Sequence, residues 1–127
     1  MSETTEAAAA QPSANAERVR VEVTGHVARV TMSRAEKHNA LDWEMFKGLE
    51  AAAAQLAERS DVRAVVLCGE GPSFCSGLDI SSFVESGRPV DDLMVPREGD
   101  TANLAQGVSL DWQRLPMPVI AALHGAV

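Results

Sequence analysis

The chain has no tyrosine, two cysteines and three histidines in 127 residues, and no run of about 18 apolar residues that could serve as a membrane span. Cys68 and Cys75 have neither a zinc-knuckle spacing nor the number of a disulfide framework, so reduced thiols in a cytoplasmic protein are expected. His26, His38 and His124 show no metal-ligand spacing, and no metal is expected. Basic residues are few, 11 Lys and Arg against 18 Asp and Glu, for a net charge of -7 and a pI near 4.8. That balance argues against a nucleic-acid binder, which needs clustered Lys and Arg. An acidic protein that takes an anionic ligand must use local N–H groups and a few basic side chains. Residues 1–17 lack the basic region and long apolar region of a secretory signal, and their acidic residues count against a mitochondrial presequence. A disordered, solvated tail is expected there.

The apolar content of 46% suits one domain, or part of one, from residue 18 onward, with no internal repeat. From Arg18 the pattern alternates through Val19, Val21 and Val23, turns at Gly25-His26, and alternates again with Ala28, Val30 and Met32 on one face. This predicts a β-hairpin. Ser33 to Leu41 is polar and aperiodic, a loop. Asp42 is an N-cap candidate for an amphipathic helix whose stripe is Trp43, Phe46, Leu49, Ala53 and Leu56, running to Arg59. The apolar run Val62 to Cys68 predicts a parallel strand covered on both faces. A short helix from Ile80 to Ser86, closed by Gly87, follows, and Arg88 to Asp100, with two prolines and no period, is expected to be a mobile loop. Leu104, Val108, Trp112 and Leu115 mark another amphipathic helix, ended by Pro116 and Pro118, before a buried strand from Val119 to Leu123.

Between the Val62–Cys68 strand and the Ile80 helix lies Ser73-Phe74-Cys75-Ser76-Gly77-Leu78-Asp79-Ile80. A strand, a glycine turn and a helix start form the arrangement that aims backbone N–H groups at an anion. Phe74 to Ile80 resembles the first oxyanion-hole motif of the crotonase superfamily, which includes enoyl-CoA hydratases and isomerases. His38-Asn39-Ala40-Leu41 and Pro118 to Gly125 agree with that family in order and spacing. The family loop often carries Arg-Pro where this chain has Arg34-Ala35.

The resemblance implies an α/β fold of crotonase type, a spiral of βαβ units of which residues 18–127 form the N-terminal, incomplete part. It implies an acyl-CoA thioester as partner, with CoA carried by the substrate and no separate cofactor. The expected parent activity is hydration of a 2-enoyl-CoA in fatty-acid metabolism. Isomerisation on the same scaffold is an alternative, as is a truncated, inactive remnant or interaction subunit. By the resemblance, Leu78 gives one N–H of the oxyanion hole and Gly77 allows close approach of the backbone. Ser76, Asp79 and Ile80 line the adenine and pantetheine path, Ala40 belongs to the substrate-binding loop, and Lys37 is a candidate phosphate contact. The second oxyanion N–H and the catalytic carboxylates are expected beyond position 127, and a homo-oligomer, trimer or hexamer, is implied.

Simpler readings stand beside these. Asp79 could serve only as the N-cap of the following helix. Cys75 reads as a small buried thiol and His124 as a hydrogen-bonded structural residue. Gly69-Glu70-Gly71 begins like a dinucleotide fingerprint, but Phe74 stands at its third glycine. Neither Ser73 nor Ser76 has the flanking glycines of a nucleophile elbow.

Overall fold

The computed structural model describes residues 18–127; the expected N-terminal tail lies outside them. Strands β1 (Val19–Thr24), β2 (Val27–Met32), β3 (Ala64–Gly69) and β4 (Val119–Ala121) form one sheet in the order β1-β2-β3-β4. β1 and β2 are an antiparallel hairpin whose Thr24↔Val27 pair closes over Gly25-His26, as the alternation predicts. β2 pairs parallel with β3 from Val27↔Ala64 to Met32↔Gly69, and β3 pairs parallel with β4. The parallel pairs require crossover connections, and helices α1 (Trp43–Ala57) and α3 (Leu104–Gln113) provide them. A 3-10 turn, Ala35–Lys37, precedes α1, and the short α2 (Ile80–Ser86) and a second 3-10 turn, Val90–Met94, lie between β3 and α3.

α1 begins where a capping side chain is available: Asp42 accepts from Met45 N at 2.9 Å. Its Met45, Leu49, Ala52, Ala53 and Leu56 pack against Ala28, Val30, Met32 and Val65 of the sheet, and Trp112 of α3 joins the same core. A second cluster of Phe46, Phe83, Leu93 and Leu104 fastens α2 and the 90–94 turn to α1 and α3. The Phe46 and Phe83 rings meet edge to face at 6.4 Å.

The structure corrects several expectations. β3 starts at Ala64, with Val62 buried in the turn before it, and its faces are unequally covered. Val65 is fully buried, whereas Val66 and Cys68 on the opposite face remain half-buried. β4 is shorter than expected and is an edge strand among the described residues. It pairs only with β3, so Ile120 is 57% exposed rather than buried.

The segment expected to be a mobile loop, Arg88 to Asp100, is tied down instead. Leu93 is buried, Pro96 bridges Asn103, and the Arg97 guanidinium bonds Glu50, Asp100 and Asp111 at 2.8–3.2 Å. α3 is also capped more fully than its apolar spacing foretold. Asn103 and Gln106 form a reciprocal capping box.

Candidate functional site

The site is assembled where two loops meet: the turn from β2 to α1 and the chain from β3 to α2. Asn39 joins them. Its Oδ1 accepts from Arg34 N at 2.8 Å, and its Nδ2 donates to Glu70 O at 3.0 Å and Ser73 O at 2.9 Å. It is completely buried and adopts φ 57, a left-handed conformation that asparagine tolerates better than most residues. Gly69 makes room for this link, since a Cβ there would lie 2.6 Å from Asn39 Nδ2. Composition and periodicity gave Asn39 no site role. Its signal was the polar residue inside His38-Asn39-Ala40-Leu41.

Beyond Asn39 the loops run side by side. Ser76 N donates to His38 O at 3.0 Å, Leu41 N to Gly77 O at 2.8 Å, and Asp79 N to Leu41 O at 3.0 Å. The last two bonds make a parallel bridge between Leu41 and Leu78. In such a bridge the bonds to Leu41 come from the residues on either side of Leu78, so the N–H and C=O of Leu78 itself face the other way. Among the described residues, neither the Gly77 nor the Leu78 N–H donates to any backbone group. Gly77 has φ 103, where L side chains are strained, and Leu78 is 40% exposed. Two consecutive donors are therefore available on an otherwise satisfied stretch.

The expected donor, Leu78, lies before the helix start, which is itself closed. The start of α2 is closed by Asp79, which accepts from Ser82 N at 3.2 Å and from the Ser81 and Ser82 hydroxyls at 2.9 and 2.7 Å. Arg34 Nη1 adds a bond of 2.8 Å. The Ser82 hydroxyl first, then the Ser81 hydroxyl and Arg34, outweigh burial and hold the Asp79 carboxyl well below the usual carboxylate range. Asp79 is thus an N-cap turned inward, with its charge already engaged. The donors lie in the extended bridge before the helix.

The other expected residues divide in two groups. Ser76 is exposed, and its hydroxyl lies 3.5 Å from Lys37 O, which sets exposed Lys37 beside the donor loop. Among the described residues Lys37 takes part in no salt bridge. Ile80 is exposed at the first position of α2. Ala40, by contrast, is buried; its N–H bonds Lys37 O and its carbonyl accepts from Arg34 at 2.9 Å. Two histidines contact the loops around Ser73. His124 Nε2 lies 2.9 Å from Gly71 O, and His38 Nδ1 lies 3.0 Å from Ser73 Oγ, which also accepts from Ala126 N. Unlike the expected strand-end residue, His124 is exposed.

Behind Ser76 and Gly77 opens a cavity of about 300 Å³ lined mainly by apolar side chains, among them Leu41, Leu49, Phe74, Val108 and Trp112. Cys75, half-buried against the core, also lines it. A larger groove of about 570 Å³ lies between α1 and the 97–100 turn, but Arg97, Asp100, Asp111 and Arg114 on its rim are paired with one another. The smaller cavity has Gly77, the residue before Leu78, on an otherwise mainly apolar lining, a combination that suits a ligand with a polar head and an apolar tail.

The family model described as enoyl-CoA hydratase/isomerase matches residues 22–127. The chain belongs to that family. It is 33% identical over 110 residues to the mitochondrial Delta(3,5)-Delta(2,4)-dienoyl-CoA isomerase of Mus musculus, covering 79% of this chain and 32% of that protein. It is 32% identical over 105 residues to the enoyl-CoA hydratase EchA19 of Mycobacterium tuberculosis, covering 83% of this chain and 38% of the relative. The crystal structure of an enoyl-CoA hydratase from Bacillus anthracis superimposes with a TM-score of 0.69 at 26% identity, over 85% of this chain and 40% of that one. An enoyl-CoA hydratase/isomerase from Xanthobacter autotrophicus Py2 gives a TM-score of 0.66 at 29% identity, over 85% and 39%. The α/β fold is therefore of crotonase type, and the chain spans roughly a third of the length of the curated relatives it matches, 32% and 38% for the two named.

Proposed function

We propose that this crotonase-type region binds an acyl-CoA thioester with the thioester oxygen on the Leu78 N–H, beside Gly77, and the acyl chain directed into the apolar cavity. The observation that carries this reading is the bridge to Leu41, which leaves the Leu78 N–H without a backbone partner one residue after Gly77, itself on the cavity lining. Negative charge grows on a thioester oxygen when the α-carbon loses a proton or a nucleophile adds at the β-carbon, and a fixed donor stabilises it most in the transition state. We assign Lys37 and Ser76, both exposed and neighbours where the Ser76 hydroxyl approaches Lys37 O, to the anionic CoA moiety. Asp79 serves this site through the backbone it holds, and Ile80 and Ala40 through theirs.

The activity we assign is hydration of a 2-enoyl-CoA in fatty-acid metabolism, a lyase reaction needing no cofactor beyond the CoA of the substrate. The dienoyl-CoA isomerase relative at 33% identity supports isomerisation as a second reading. Both reactions place the same charge on the same oxygen. A cytoplasmic location is supported by the free thiols of Cys68 and Cys75. No helix among the described residues is long and apolar enough to cross a membrane. Self-assembly, as a trimer or hexamer by resemblance, is supported by exposed Ile80, Val84 and Ile120.

Calorimetric titration tests the binding. A short acyl-CoA thioester should bind more tightly than free CoA, and a nicotinamide dinucleotide should not bind. Binding of the dinucleotide with no response to the thioester would overturn the proposal.

A further inference from the structure

Arg34 lies under the donor loop with its side chain only 7% exposed. One of its nitrogens, Nη1, donates to Ala40 O at 2.9 Å and to Asp79 Oδ2 at 2.8 Å. Those acceptors belong to the residue before Leu41 and the residue after Leu78. The guanidinium therefore joins the two chains immediately beside the bridge. We propose that Arg34 is a positioning residue for the Leu78 donor, locking the Leu41–Leu78 bridge so that the Leu78 N–H keeps one direction. That the donor serves a thioester rests on the function proposed above; the mechanical link does not.

The surroundings favour a positioning role over simple charge neutralisation. Burying an ion pair is weak evidence for stability, because desolvation offsets much of the attraction. Geometry is what a buried guanidinium adds: its planar fork can bond groups on separate chains in a fixed relation, which an ammonium cannot reproduce. Nη2 lies 3.4 Å from Ser82 Oγ and 3.5 Å from Asp42 Oδ2, so the fork also faces the caps of both α1 and α2.

Asp42 has a nearer cation in Arg18, at 2.8 Å, whereas among the described residues Arg34 is the one salt-bridge partner of Asp79. The backbone of Arg34 is itself fixed, its N–H held by Asn39 Oδ1. Loss of the fork should therefore fall on the Ala40–Asp79 junction more than on the start of α1.

Amide hydrogen exchange followed by NMR on the unliganded protein tests this. In Arg34→Lys, which keeps the charge, the amides of Leu41 and Asp79 should exchange roughly tenfold faster or more, while those of Val30 and Val65 in the sheet keep their rates. If Arg34→Lys does not fold, Asp79→Asn removes the same link while keeping a capping side chain, and the same pattern is expected at Leu41. Unchanged exchange at Leu41 and Asp79, or equal acceleration at all four amides, would overturn the positioning role. Infrared spectroscopy of a bound acyl-CoA thioester separates this claim from the functional one. No carbonyl shift in the unsubstituted protein would count against the function alone. A shift undiminished in Arg34→Lys would count against Arg34.

Discussion

Leu41 and Leu78 meet in a single-pair parallel bridge, with Leu41 N donating to Gly77 O at 2.8 Å and Asp79 N to Leu41 O at 3.0 Å. This relationship decides which backbone groups are free. The bridge consumes the bonding groups on both sides of Leu78 and leaves its own N–H directed away. A donor held this way needs no reorganisation when charge appears in front of it, which is the condition for strong transition-state stabilisation.

The side chain of Leu78 is secondary in this arrangement. Leu78→Pro removes the N–H without removing either bond of the bridge, whereas Leu78→Met keeps the donor at similar volume. In a protein that also carries the second oxyanion donor and the catalytic carboxylates, turnover of an enoyl-CoA should fall by about a hundredfold or more in the first and stay near the original in the second. Circular dichroism verifies that both variants fold. Equal losses in two folded variants would assign the effect to the side chain.

Asn39→Ala should destabilise the protein by about 2–3 kcal/mol, because it strands buried partners of the Asn39 amide and puts alanine in a left-handed conformation. Urea unfolding measures this. A change within experimental scatter would mean that the two loops hold together without the link.

Stability should decline in acid, and Asp79 should contribute to the slope. Its folded-state carboxyl titrates below the ordinary value, through the Ser82 and Ser81 hydroxyls and Arg34. The unfolded chain therefore takes up the proton first. The contribution is fully present above the unfolded value of about 3.9 and disappears as the pH falls below it toward the folded value. Thermal midpoints of the parent protein should drop as the pH falls below about 4, and Asp79→Asn should flatten that fall. Asp42 and Asp100, also held low, keep some slope in the variant. Parallel curves for the two proteins would remove Asp79 from the explanation.

Arg97→Ala should release the 88–100 segment. The guanidinium reaches Glu50 on α1 and Asp111 on α3 as well as Asp100, so its loss should cost about 2 kcal/mol and speed proteolysis within that segment. Unaltered cleavage would show that Leu93 and the Pro96–Asn103 bridge suffice to hold it.

Local signals were readable from the sequence. The valine alternation around Gly25-His26 marks the hairpin, Asp42 and Asp79 mark helix starts, and Gly87 marks the end of α2 at φ 73. Partners distant in sequence were not readable. Nothing local to Arg97 announces Glu50, 47 residues away, and nothing near Arg34 announces Asp79, 45 residues away. Strand coverage failed for a related reason: the apolar run at Val62 to Cys68 marks a buried strand, but how much of each face is covered depends on the layers packed over it. The candidate site stands between these cases. Its motif was legible, while the origin of its free donor in a bridge to Leu41 emerged only from the tertiary pairing.

The central claim is that the Leu78 N–H receives the oxygen of a thioester. Proton–nitrogen correlation NMR tests it by comparing an acyl-CoA thioester with its thioether analogue, which has the same CoA moiety and chain but no carbonyl oxygen. The Leu78 amide proton should move downfield with the thioester and remain near its unliganded position with the thioether, while the resonances around Lys37 respond to both. A Leu78 amide that ignores the thioester, or that responds equally to both ligands, would contradict the account.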